Sequence, residues 1–78
     1  MNIIQEIRKE KGLSQTEFAT MCDVGSQTIF DLEHGNRKEI HQDVLETLEH
    51  LGYKKSEVIE SYDYQRQQIR ENMIQQLA

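Results

Sequence analysis

Apolar residues recur at three- and four-residue intervals over most of the chain, and no stretch alternates apolar with polar residues as a surface strand would. The sequence has no proline, and its four glycines fall between the periodic segments. The pattern therefore predicts an all-α fold of five helices. The expected helices cover about residues 2–11, 15–22, 26–34 and 41–51, and a last one from an N-cap at Ser56 to about residue 77.

The apolar positions of each helix share one side, which is the side expected to face the core. The turn after the second helix adds one apolar anchor, and the start of the last helix closes the core. The residues expected inside are Ile3, Ile4, Ile7, Phe18, Ala19, Cys22, Val24, Ile29, Leu32, Val44, Leu45, Leu48, Leu51, Val58 and Ile59.

The segment from residue 13 to residue 35 predicts two short helices that meet across a tight turn. Ser14 has the character of an N-cap, and Glu17 follows at the spacing of a capping box. Residues 23–25 combine a turn-tolerant aspartate with a glycine, and Gly35 can end the second of these helices with positive φ. This is the pattern of a helix-turn-helix.

The chain resembles the Cro/C1-type, lambda-repressor-like family of DNA-binding domains over about residues 3–58. The residues that match are Leu13-Ser14-Gln15, Ala19 and Glu33-His34-Gly35. The resemblance implies a five-helix lambda-repressor-like domain with the helix-turn-helix at helices 2 and 3 and an extended C-terminal helix. It also implies a structural ion pair between Arg8 and Glu33.

The same resemblance implies how DNA is contacted. The amino end of the second helix touches a DNA phosphate, the third helix faces the major groove, and the loop after the third helix binds the DNA backbone. Gln27 is the best candidate base reader, because its amide can bond adenine through two hydrogen bonds. The DNA-binding residues expected are Gln15, Ser26, Gln27, Thr28, Phe30, Asp31, Asn36, Arg37 and Lys38.

The last predicted helix is long for so small a protein, roughly 30 Å at 1.5 Å per residue. An apolar stripe continues along it beyond anything that the first four helices could cover, and a homodimer would bury that stripe twice across a two-fold axis. The alternative is a solvated, polar tail after about residue 66, which is rich in glutamine. The dimer-interface residues expected are Tyr62, Ile69, Met73 and Leu77.

A chain of 78 residues has room for one modest core, so residues 1–78 are expected to form a single helix-turn-helix domain, with 56–78 as the long C-terminal helix. There is no apolar run of bilayer length and no export signal, which predicts a cytoplasmic protein. Cys22 is the sole cysteine, and the three histidines lack metal-ligand spacing. No metal, cofactor or enzymatic activity is expected.

The charge balance opposes the DNA-binding interpretation. Nine lysines and arginines face fourteen aspartates and glutamates, a net charge of −5, whereas a partner of DNA usually has a basic face. Two classes of function therefore remain. The first is a small dimeric repressor, of the phage or mobile-element type, that binds a double-stranded operator. The second is a partner of another protein: an antirepressor that covers a repressor through Phe30 and Asp31, or an antitoxin that holds a toxin.

Overall fold

The computed structural model describes residues 2–78, which form five α-helices and no strand. The predicted all-α fold is confirmed. The helices are α1 (Ile3–Glu10), α2 (Gln15–Cys22), α3 (Ser26–Glu33), α4 (Gln42–His50) and α5 (Lys55–Leu77).

The first two helices begin at side-chain caps, and the cap at Ser14 is one that the sequence predicts. The Asn2 side chain accepts from the amide of Gln5 at 3.1 Å, and its own amide group donates to the Leu32 carbonyl at 2.6 Å. Ser14 and Glu17 form both halves of a capping box, each hydrogen bond 3.0 Å long. The Asn2 cap therefore does more than start α1, because it also ties α1 to the end of α3.

The turn between α2 and α3 is short because two residues adopt conformations that end and begin helices. Asp23 has φ of 57° and caps the end of α2 in the left-handed region, which aspartate tolerates better than most residues. Gly25 is the N-cap of α3 and supplies no side-chain hydrogen bond. Gly35, with φ of 67°, follows the end of α3 and lets the chain leave at a sharp angle.

One predicted boundary is wrong. Ser56 is not the N-cap of α5, since the helix begins at Lys55 with Lys54 as its N-cap. The Val58 amide donates to the Lys54 carbonyl at 3.1 Å, so Ser56 lies inside the first turn of the helix. This end has no side-chain cap.

The core lies where α1 to α4 meet the first turns of α5. Its largest fully buried side chains include Phe18, Ile4, Ile29, Leu32 and Leu48. The predicted core position Cys22 is confirmed at 2% exposure, and burial raises the pKa of its thiol. Val24 and Leu51 are half-buried against this core.

Two predictions about α5 are wrong. Ile59, expected in the core, is 40% exposed. Tyr62, expected in an uncovered stripe, is only 1% exposed, because it follows Val58 by one helical turn and lies on the same inward side. Tyr62 is thus a core residue, and the predicted dimer stripe loses its first member. Its other members, Ile69, Met73 and Leu77, are 46%, 58% and 89% exposed.

The capping box of α2 predicts a specific pH dependence. Hydrogen bonds from the Ser14 backbone and side chain lower the pKa of Glu17 below its value in the unfolded chain. A lowered folded-state pKa contributes stability at higher pH, and that contribution disappears as acid protonates the carboxylate. We expect Glu17→Gln, which keeps an acceptor but does not titrate, to lose less stability than the parent between about pH 5 and pH 3. Urea unfolding at each pH measures this, and parallel curves for the two proteins would contradict it.

No helix in the described range combines the length and apolar character needed to cross a lipid bilayer.

Candidate nucleic-acid interface

A buried ion pair fixes the helix-turn-helix to the rest of the domain. Arg8 of α1 donates to the two carboxylate oxygens of Glu33 in α3, at 2.6 and 3.0 Å, and it also donates to the Leu13 carbonyl at 2.8 Å. The two side chains are 11% and 1% exposed. Hydrogen bonding to Glu33 raises the pKa of Arg8. The paired carboxylate thus holds the carboxyl-terminal end of α3 in place.

Gln15 forms a hydrogen bond with this ion pair. Its side-chain nitrogen donates to Glu33 at 3.1 Å, and the residue is half-buried at the first position of α2. An amide nitrogen has two hydrogens, so a phosphate contact by Gln15 would use the second one. The interaction joins α2 to α3 and gives Gln15 a structural role that the sequence does not show.

The outward face of α3 contains the predicted base readers, and two of them are bonded to each other. Gln27 donates from its side-chain nitrogen to the Asp31 carboxylate at 2.9 Å, one helical turn further on. Gln27 is exposed and Asp31 is half-buried. Their hydrogen bond limits the rotamers of Gln27 and leaves its carbonyl oxygen as an acceptor for a base.

Arg37 folds back from the loop after α3 onto the same face. One guanidinium nitrogen lies 3.6 Å from Asp31 and donates to the Thr28 hydroxyl at 3.4 Å. The cation that α3 lacks is therefore supplied by the loop. Arg37 thus contacts two other predicted site residues, and sequence spacing alone does not show that it returns to them.

Phe30 packs in a way that the sequence interpretation missed. Its ring stacks on the ring of His34 with 4.0 Å between centroids, and His34 Nδ1 lies 2.8 Å from the Phe30 carbonyl oxygen. Phe30 nevertheless remains 41% exposed. The four-residue spacing of these two aromatic rings along the chain was the sequence signal that could have predicted the stacking.

The remaining predicted site residues, Ser26, Asn36 and Lys38, are exposed around α3. The backbone amide of Asn36 donates to the Asp31 carbonyl at 2.9 Å, which fixes the start of the loop. Lys38 forms no ion pair with any described residue, so its ammonium group is available to a ligand.

Two side chains of helix α5 form hydrogen bonds with the loop after α3. The Tyr62 hydroxyl donates to the Arg37 carbonyl at 2.7 Å, and burial raises the pKa of that hydroxyl so that it stays protonated. Arg66 donates to the Gly35 carbonyl at 3.0 Å and so caps a loop carbonyl. Neither contact is visible in the sequence, because the partners are 25 and 31 residues apart.

The Tyr62 contact predicts a measurable loss. We expect Tyr62→Phe to lower the free energy of unfolding by about 1 kcal/mol, because the Arg37 carbonyl loses a partly buried hydrogen bond. Urea unfolding measures the loss, and Tyr64→Phe is the matched control because Tyr64 is 63% exposed. Equal stability of the two variants would show that the hydroxyl does not hold the loop.

Two short helices crossed over a left-handed turn, with an outward polar face on the second, define a helix-turn-helix domain of the DNA-binding class. Comparison with known families supports this assignment, since the family model described as "Helix-turn-helix" (HTH_3) matches residues 4–52. The chain belongs to this Cro/C1-type helix-turn-helix family.

The family consists of DNA-binding regulatory domains, which are generally not enzymes, and the chain is accordingly a DNA-binding regulator. Neither a curated protein nor a solved structure gives a significant match to the chain.

Proposed function

We propose that this protein is a sequence-specific transcriptional repressor of the phage or mobile-element type, and that it binds a palindromic double-stranded operator as a homodimer. The observation that carries the proposal is the arrangement on α3, where exposed Gln27 is held by Asp31 and flanked by Arg37. A reading side chain with few accessible rotamers loses less entropy when it meets a base.

The local charge on this face differs from the net charge of the chain. Asp31 would repel phosphate if it stood alone, but Arg37 lies 3.6 Å away and offsets its charge. Lys38 follows in the same loop and is exposed. The loop thus supplies two cations next to a helix that has none, which supports phosphate contacts on this side.

Arg37 is the main candidate for a contact with the DNA backbone. Its Nε atom is buried and has no hydrogen-bond partner among the described residues. An unpaired buried donor is unfavourable. A shift of the guanidinium toward a DNA phosphate would give that donor an acceptor.

Salt dependence tests this role. We expect Arg37→Ala to weaken binding to duplex DNA and to reduce the slope of log affinity against log salt by about two, because a dimer loses one phosphate contact in each half-site. Lys54→Ala removes the same charge in the connection between α4 and α5 and serves as the control. An unchanged slope in Arg37→Ala would contradict the assignment.

A protein-binding function is the second candidate, and exposed Phe30 is the observation in its favour. A large aromatic side chain that is 41% exposed on a helix is a common anchor for protein contacts. An antirepressor would use it to cover the DNA-binding face of a partner repressor, and an antitoxin would use it or α5 to hold a toxin. Asp31 weighs against mimicry of DNA, because Arg37 offsets its charge.

A further inference from the structure

Helix α5 has an exposed face that is separate from both its core-facing side and the stripe predicted from the sequence. Residues at three- and four-residue spacing share one side of a helix. This outer face of α5 consists of Ile59, Asp63, Gln67, Arg70 and Ile74, and Arg66 lies at its edge, where it donates to the Gly35 carbonyl.

The apolar members of the outer face are uncovered. Ile59 and Ile74 are 40% and 55% exposed. Ile69, from the stripe predicted earlier, lies on a neighbouring side of the helix, and its side chain reaches within 3.5 Å of the Cβ position at Gly35. Ile69 therefore packs toward the loop after α3, whereas the outer face points elsewhere.

Two opposite charges occupy the middle of this face without partners. Asp63 and Arg70 are two helical turns apart, and neither forms an ion pair with any other residue in the described part of the chain. In sequence order the face reads apolar, acidic, neutral polar, basic, apolar. Read from the other end, the face has the same apolar ends, and its two charges come in the opposite order.

We propose that the outer face of α5 binds the same face of a second copy of this chain, with the two helices antiparallel about a two-fold axis between residues 66 and 67. In this register Ile59 lies opposite Ile74 of the second copy, and Asp63 lies opposite its Arg70. The symmetry produces each contact twice. This is the interface of the homodimer proposed above, and the inference rests on the chain being a homodimer.

Charge selects the antiparallel arrangement over the parallel one. A symmetric parallel pair would place each residue opposite its own copy, so Asp63 would meet an aspartate and Arg70 an arginine. Like charges facing each other across an interface are strongly unfavourable, and this repulsion excludes the parallel register.

The surroundings of the outer face leave room for a second helix. Ile59, Asp63 and Arg70 form one wall of an open groove, and Ile40 and Leu45 of the loop and α4 lie on the opposite wall. A helix seated there would cover the exposed apolar atoms of Ile59 and the edge of the core at Ile40 and Leu45, which are already largely buried. The groove thus matches an amphipathic helix with apolar ends and a charged centre, which is what α5 of a second copy presents.

Charge reversal tests the register in the absence of DNA. Sedimentation equilibrium should show dimers of the parent protein, and Asp63→Arg or Arg70→Asp alone should weaken dimerisation by ~10-fold or more, because each places two like-charged pairs in the interface. The double variant Asp63→Arg/Arg70→Asp should dimerise as the parent does. An equimolar mixture of the two single variants should form heterodimers, because every pair is then of opposite charge.

Control variants distinguish loss of the dimer interface from loss of folding and from loss of DNA binding. Glu57→Arg reverses a charge on a different side of α5 and should leave dimerisation unchanged, and far-ultraviolet circular dichroism with thermal melting should show that every variant is folded. Monomeric parent protein, unaffected single variants, or failure of both the double variant and the mixture to restore dimers would each overturn the proposed interface. Arg37→Ala should still dimerise, so loss of DNA binding and loss of dimerisation are observed independently.

Discussion

Glu33→Ala is expected to lower the free energy of unfolding by about 3–5 kcal/mol, since removing one partner of a buried ion pair leaves the other charge stranded. Arg8 would keep its guanidinium at 11% exposure with no carboxylate beside it. Gln15 would lose its acceptor at the same time. A chain of 78 residues has a total stability of roughly 4–12 kcal/mol, so this loss would leave little or no folded protein.

Urea or thermal unfolding followed by circular dichroism measures this loss. Glu60→Ala, which removes an exposed carboxylate from α5, is the matched control and should unfold as the parent does. Glu33→Ala protein with parental stability but reduced DNA affinity would show that Glu33 acts at the interface with DNA and not in holding the fold.

Gln27→Ala is expected to weaken binding to the cognate operator by about 5- to 150-fold for each half-site, which corresponds to the 1–3 kcal/mol of one good base contact. The side chain is exposed on α3, and its hydrogen bond to Asp31 fixes its direction. Folding should be unaffected, because the lost hydrogen bond is on the surface.

Gln27→Ala should also relax the preference at one base position in each half-site, which distinguishes base reading from general weakening. Fluorescence anisotropy with the cognate duplex and with duplexes changed at single positions measures both effects. Gln68→Ala, an exposed glutamine of α5, is the matched control. Equal losses for every duplex would indicate that Gln27 does not contact a base.

Local features of the sequence predict the helices well. Capping boxes, glycine terminators and helical periodicity act within a few residues, so Ser14, Glu17 and Gly35 each have the role that their type and position indicate. The core position Cys22 follows from the same periodicity. The family match then extends this local pattern to a whole fold.

Contacts made over long sequence distances were not predictable in the same way. The periodicity of α5 shows that Tyr62 is on an apolar side, but only the packed structure shows that other helices cover it. Likewise, the return of Arg37 to Asp31 depends on the path of the loop and on the Tyr62 hydroxyl that holds it. The family resemblance predicted the Arg8–Glu33 pair, but it did not indicate that Gln15 joins them.

Charge illustrates the same difference between composition and structure. The net charge of −5 is a property of the whole chain, whereas a DNA interface depends on the few charges next to it. Arg37 offsets Asp31, and Lys38 is exposed beside them. A negative total is therefore compatible with a locally neutral or cationic reading face.

Selection of binding sites from a random pool of duplex DNA tests the central claim, that α3 reads base sequence, most directly. The parent protein should enrich a short half-site, repeated with two-fold symmetry, and Gln27→Ala should lose the preference at one position of that half-site. Failure of the parent protein to enrich any sequence, at low salt and with folded protein, would contradict the claim.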